Sequence, residues 1–156
     1  MCSDLIRFQY SAVFIPRVSP MNIFEHLREA EGFSALPYND VGNTSIGYGR
    51  NLTSLGVSRE EAEIMLQNDV ARVERELDFY PWFAGLSEPR RTALLGFVYN
   101  VGITKFRLFK HCIKNLEEGN FTAAAAEIYP NSAYATQLPD RARLYATWIA
   151  TDGFEI

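Results

Sequence analysis

Apolar residues recur three and four positions apart over most of this chain, and the exception is residues 33–56. The first periodic stretch opens at Asn22, with Glu25 three residues on, the spacing of a capping box. Ile23, Phe24, Leu27 and Ala30 then form one stripe, the helix runs to about Glu31, and Gly32 is the stop. Between residues 33 and 56 the pattern shortens. Pro37, Asp40, Gly42, Asn43, Gly47, Gly49 and Gly56 punctuate short runs rich in Tyr, Ile and Thr, which predicts a small antiparallel sheet with tight turns.

Ser58 and Glu61 form a second capping box. The helix behind it runs without Gly or Pro to about Asp78, with Ala62, Met65, Leu66, Val73 and Leu77 as its stripe, and Pro81 ends it. At roughly 20 residues it would be about 30 Å long, and it reads as a connecting strut. The remainder is helical. Ser87 caps a segment through Tyr99 closed by Gly102; Thr104 caps another through Glu118 closed by Gly119. Thr122 starts an alanine-rich run to Tyr129, and Pro139 opens a last helix closed by Gly153. The expected fold is α+β and mostly α. Residues 1–20 form an N-terminal arm of unassigned role, and residues 21–156 form one domain. Its parts are a β lobe over 33–57, the connecting helix over 58–79 and a helical lobe over 81–156.

Composition supports a packed globular chain: 47% of its 156 residues are apolar and 22% charged. The net charge of −4 is uneven. Residues 1–80 carry seven Lys/Arg against twelve Asp/Glu, and residues 81–156 carry eight against seven. The positive clusters are Arg90-Arg91, Lys105 to Lys114, and Arg141-Arg143. The first two read as solvated helix faces, and none has the density of a nucleic-acid footprint. Cys2 and Cys112 are isolated and read as free thiols in a reducing compartment; His26 and His111 are isolated too. No metal, cofactor or Ser-His-Asp triad is expected. No apolar run approaches the ~20 residues of a membrane span. The patch Tyr10 to Ile15 lacks the length and flanks of a signal peptide.

Two carboxylates stand out. Glu31 falls at the end of the first helix on its apolar side, and desolvation and the helix dipole both disfavour its ionised form. A carboxyl kept protonated near neutrality suits a general acid. Asp40, among Asn39, Gly42 and Asn43, should stay ionised, and Ser45 follows five residues later. Two carboxylates in different environments are what glycoside hydrolysis requires. Gly47-Tyr48-Gly49 lacks the third glycine of a dinucleotide loop. Asp69 lies on the apolar stripe of the long helix, four after Met65 and four before Val73. A buried carboxylate needs a cation, and Arg50 is the upstream candidate, predicting an Arg50–Asp69 ion pair with a structural role.

From Met21 onward the chain resembles the phage-type lysozymes of glycoside hydrolase family 24. The residues that carry the resemblance are Met21 to Glu25, Glu31-Gly32, Tyr38 before Asp40, and Ile46 to Gly49. Further on they are Glu61 to Glu63, Asn68 to Val70, Arg90-Arg91, Asn100 to Gly102, and Gln137 to Arg141. The resemblance implies a two-lobed, lysozyme-like fold with substrate in the cleft between lobes. It implies hydrolysis of the β-1,4 bond between N-acetylmuramic acid and N-acetylglucosamine in peptidoglycan. Glu31 would be the general acid, Asp40 the carboxylate that activates water, and Ser45 the hydroxyl that helps hold that water. Arg141 would pair with the acid, and Tyr99, Asn100 and Asn51 would line the cleft. The run Val41 to Thr44 is one residue shorter than usual in the family, and its hydroxyl is a serine rather than a threonine. Thr44 would serve instead if the strand slipped by one residue.

The expected role is that of an endolysin: a monomer that accumulates in the host cytoplasm and reaches the wall through a membrane lesion, with no nucleic-acid partner and no stable membrane insertion. An acidic chain acting on an anionic wall needs local basic patches, expected at Arg90, Arg91, Lys105 and Arg107. Two other readings differ in what they predict. A lytic transglycosylase would leave 1,6-anhydro ends, and a silent wall-binding module would bind without cleaving.

Overall fold

The computed structural model describes residues 22–154; the N-terminal arm lies outside them. The chain divides into two compact units, one through Val57 and one from Ser58.

In the first unit, helix α1 (Ile23–Glu31) begins with the expected capping box. The Asn22 side chain accepts from the Glu25 N–H at 3.0 Å, and the Glu25 carboxylate accepts from the Asn22 N–H at 3.2 Å. Gly32 closes the helix at φ 67°, where a Cβ would be strained. Three strands follow, β1 (Ser34–Asp40), β2 (Asn43–Gly47) and β3 (Arg50–Asn51), antiparallel in the order β1-β2-β3. Asp40 pairs with Asn43, so Val41 and Gly42 alone make the β1–β2 turn. Both have positive φ, 46° and 86°, as a type I′ hairpin demands. Asn39 steadies the turn by accepting from the Gly42 N–H at 3.1 Å. A short helix, α2 (Leu52–Leu55), is capped by Asn51, whose side chain accepts from the Ser54 N–H.

The α1 stripe is not buried: Ile23, Phe24 and Leu27 are all exposed. The expectation that Glu31 lies desolvated on a covered apolar face is therefore corrected, because Glu31 is exposed as well.

The second unit opens with α3 (Arg59–Leu77), again with its capping box. Only the C-terminal half of its stripe is buried, at Val73 and Leu77; Ala62, Met65 and Leu66 are exposed. After a 3-10 turn (Phe83–Gly85) come α4 (Glu88–Val101), α5 (Ile103–Phe106), α6 (Lys110–Glu117), α7 (Phe121–Ile128), α8 (Ala133–Gln137) and α9 (Pro139–Thr151). The buried hydrophobic residues form one cluster in this unit, centred on α4, α7 and α9.

Packing against Phe97 of α4 breaks the helix expected from Thr104 to Glu118. Phe106, Phe109 and Tyr134 place their rings 6.2, 5.2 and 5.1 Å from that of Phe97. Phe106 and Phe109 face the same ring because the backbone tightens between them. The Leu108 N–H bonds to the Lys105 carbonyl and the Phe109 N–H to that of Phe106, at 3.0 and 2.9 Å. Two further expectations are corrected. Asp152, not Gly153, takes the left-handed position after α9. The Ser87 hydroxyl bonds to the Asp152 carboxylate and gives no side-chain cap to α4.

Candidate active site

The Glu31 carboxylate emerges from the last turn of α1 and lies against the Gly47–Gly49 turn. A Cβ at Gly49 would stand 3.1 Å from Glu31 Oε2, and Gly49 has φ 80°. Position 49 thus needs glycine for its backbone and for its neighbour. Glu31 lines two adjoining hollows. One, of about 320 Å³, is shared with Gly32, Phe33, Ser34, Tyr38 and Gly47. The other, of about 360 Å³, is shared with Phe24, Leu27, Arg28, Tyr48 and Gly49.

The pleat sorts the remaining candidates of this unit. Directly paired residues share a sheet face, and faces alternate along a strand. Tyr38 pairs with Ser45 and Ser45 with Asn51, while Asp40 pairs with Asn43. Asp40, Ser45, Tyr38 and Asn51 therefore share one face. Thr44 pairs with Asn39 on the other face, with Ile46 and Arg50. Ser45 is 1% exposed, Asp40 is exposed, and Thr44 is exposed with its N–H bonded to Thr53 Oγ1 at 2.9 Å. Asp40 and Ser45 are brought to one side of the sheet, and Thr44 is not.

In the second unit Arg141, at the start of α9, donates from Nη1 to Asn100 Oδ1 at 2.8 Å. Asn100 is itself held, its Nδ2 donating to the Gly96 carbonyl at 2.6 Å. Arg141 lines an open groove of about 1150 Å³ with Gln137, Leu138, Asp140 and Arg143 among others. Tyr99 lines a smaller, mostly apolar hollow of about 410 Å³ with Gly96, Tyr145 and Trp148.

Asp69 is half-buried rather than enclosed and already has a cation, Arg72, at 3.1 Å on its own helix. Arg50 Nε donates to the Gly56 carbonyl at 2.8 Å. The burial that called for an Arg50–Asp69 pair is thus relieved locally, and that pair stays a proposal. Arg90 and Arg91 are corrected too, since they are only partly exposed and each is paired. Arg90 pairs with Asp152 at 3.1 Å, donates to the Ile149 carbonyl and sits 3.6 Å from the centroid of the Phe121 ring. Arg91 pairs with Glu74 at 2.5 Å and lies over Phe83. Both support the core rather than a wall-facing patch.

Sequence reasoning did not foresee Gly49 as the neighbour of Glu31, nor the Arg141–Asn100 hydrogen bond across 41 positions. The first had a signal in the Gly-Tyr-Gly spacing; the second had none. Among the described residues no three His, Cys, Asp or Glu side chains are grouped to hold a metal, and no helix is long and apolar enough to cross a membrane.

The profile of the phage lysozyme family matches residues 28–138, which include Glu31, the hairpin and the α4 segment around Asn100. That span exceeds half of the chain, so the protein belongs to the phage lysozyme family, with peptidoglycan as its substrate.

Proposed function

We propose that this chain is an endolysin-like muramidase that hydrolyses the β-1,4 bond between N-acetylmuramic acid and N-acetylglucosamine. Glu31 donates its proton to the glycosidic oxygen as the bond from C1 breaks. Asp40 takes a proton from the water whose oxygen attacks C1, and Ser45 helps hold that water. Arg141, braced by Asn100, serves as a group that binds substrate or orients the acid, with Tyr99 and Asn51 as further substrate contacts.

The observation that carries this reading is the shared sheet face of Asp40 and Ser45. They are diagonal neighbours across the β1–β2 ladder, which spaces such positions about 7–8 Å apart, room for a water between the two polar ends. A transglycosylase would need no such water. Host-wall lysis from within, and action as a monomer, are part of the same proposal.

The test is lysis of outer-membrane-stripped Gram-negative cells by the native chain and by Glu31→Gln, with mass spectrometry of the released sugars. The expected result is lysis by the native chain alone, leaving reducing muramic-acid ends. Equal lysis by both would remove Glu31 from the chemistry, and 1,6-anhydro ends would replace hydrolysis with transglycosylation.

A further inference from the structure

Tyr134 of α8 ends in a hydroxyl that the fold leaves unpaired. The residue is 6% exposed, its Oη is shut off from solvent, and no group among the described residues hydrogen-bonds to it. Buried polar atoms are nearly always paired, because burying one alone forfeits its bonds to water. A phenylalanine would fill the same space without that cost.

The surroundings of Tyr134 are the seam between α4 and α9. Its ring packs edge-on against that of Phe97, with the centroids 5.1 Å apart. On α4, Phe97 follows Gly96 and precedes Asn100 by three residues. Gly96 faces Tyr145, and Asn100 accepts from Arg141. Tyr145 follows Arg141 by four residues, one turn along the same side of α9. Tyr145 and Arg141 both lie close enough to act on the Tyr134 phenol. Burial pushes that phenol up to about 12, Tyr145 adds to the rise, and the Arg141 guanidinium opposes it. The group is therefore neutral at ordinary pH, with its oxygen free to accept.

Arg141 has donors to spare. A guanidinium carries five N–H donors, and the bond from Nη1 to Asn100 at 2.8 Å is the hydrogen bond Arg141 makes among the described residues. One such bond leaves the guanidinium plane free to swivel, whereas a second from another direction fixes the fork.

We propose that Tyr134 is a positioning residue for Arg141: its hydroxyl accepts from a second guanidinium nitrogen when substrate occupies the groove that Arg141 lines, so that Asn100 and Tyr134 together fix the guanidinium. The inference rests on Arg141 binding substrate or orienting the acid. The hydroxyl is unpaired in the free protein and paired in the complex, so the contact favours the bound state alone.

The test is Tyr134→Phe, which removes a single oxygen. The thermal midpoint should be no lower than native, because an unpaired buried hydroxyl is lost. Meanwhile kcat/KM on solubilised peptidoglycan should fall about tenfold, the worth of a hydrogen bond to a charged group. A side chain that only supported the fold would give the opposite pattern, a lower midpoint with activity per folded molecule kept. In an Asn100→Ala background the same change should cost more than it does in the native chain, and in an Arg141→Ala background it should cost nothing further. Tyr145→Phe is the control and should hydrolyse near the native rate. Nitrogen NMR of the inactive Glu31→Gln chain, bound to a tetrasaccharide of alternating N-acetylglucosamine and N-acetylmuramic acid, reads the contact directly. Rotation of the Arg141 guanidinium should be slow with Tyr134 present and fast in Tyr134→Phe. A native kcat/KM for Tyr134→Phe beside an impaired Arg141→Ala would overturn this inference and leave Arg141 in the proposed site. A native kcat/KM for Arg141→Ala would overturn the role of Arg141 and this inference with it. Equal losses from Tyr134→Phe and Tyr145→Phe would make the two phenols partners of each other, and would overturn it too.

Discussion

Gly96 sits in the middle of α4, where alanine would ordinarily be preferred by about 1 kcal/mol. Here the space is taken. A Cβ at position 96 would stand 2.5, 2.6 and 2.8 Å from Cζ, Oη and Cε1 of Tyr145. Carbon contacts settle near 3.5–4.0 Å, so the ring would have to retreat by roughly 1 Å. Tyr145 is half-buried on α9 with its ring beside that of Trp148, so it does not swing freely. Overpacking of this kind costs about 1–3 kcal/mol. Set against the helix-propensity gain, Gly96→Ala should destabilise the protein by about 1 kcal/mol. With Tyr145→Ala already in place, the same change should instead stabilise by about 1 kcal/mol, a coupling of about 2 kcal/mol. Urea unfolding of the four proteins of this cycle measures both numbers. A higher midpoint for Gly96→Ala in the native background, or no coupling, would refute the argument. The effect also bears on the proposed site, because the Gly96 carbonyl holds Asn100, and Asn100 holds Arg141.

Three other outcomes are expected. Val41 is 97% exposed yet carries φ 46°, so Val41→Asn should raise hairpin stability by about 1 kcal/mol, read as a higher thermal midpoint; a lower one would contradict the turn geometry. Ser45→Ala should lower wall hydrolysis by about tenfold or more while Thr44→Ala leaves it near native, since only Ser45 shares the face of Asp40; the reverse order would place the hydroxyl on the other face. Burial pushes the Cys112 thiol up to about 12, so the native state holds a proton that the unfolded chain releases from about pH 9. Its contribution is full below that pH and is lost as pH rises toward 12, with a slope of up to about 1.4 kcal/mol per pH unit. Cys112→Ala should flatten stability against pH over that window, and an unchanged slope would show that the thiol is not the source.

Features fixed by residues close in sequence were legible from the chain alone. Both capping boxes, the Gly32 stop and the small antiparallel sheet, though not its count of three strands, follow from spacing over three or four residues and from turn chemistry. Distant packing was not legible. Thr104 looked like a helix start, but Phe106 and Phe109 are held by Phe97, and that contact sets where the chain breaks. Arg90 and Arg91 looked solvated because their partners, Asp152 and Glu74, lie far along the chain. In the site, the residue types and order of Glu31, Asp40 and Ser45 could be read directly. Ser45 is preferred over Thr44 from the sequence already, and the strand register adds that Ser45 rather than Thr44 shares the sheet face of Asp40.

The long helix α3 is one element by hydrogen bonding and two by burial. Val73 and Leu77 lie in the core, whereas Ile64, Met65 and Leu66 are exposed. Local opening requires only that a turn lose its own hydrogen bonds, whereas opening a core segment requires unfolding what packs on it. Amide protons in the first half of α3 can therefore exchange with solvent through fraying from the Ser58 end. Those around Val73 and Leu77 must wait for the whole second unit to open, so one helix carries a gradient of protection along its length.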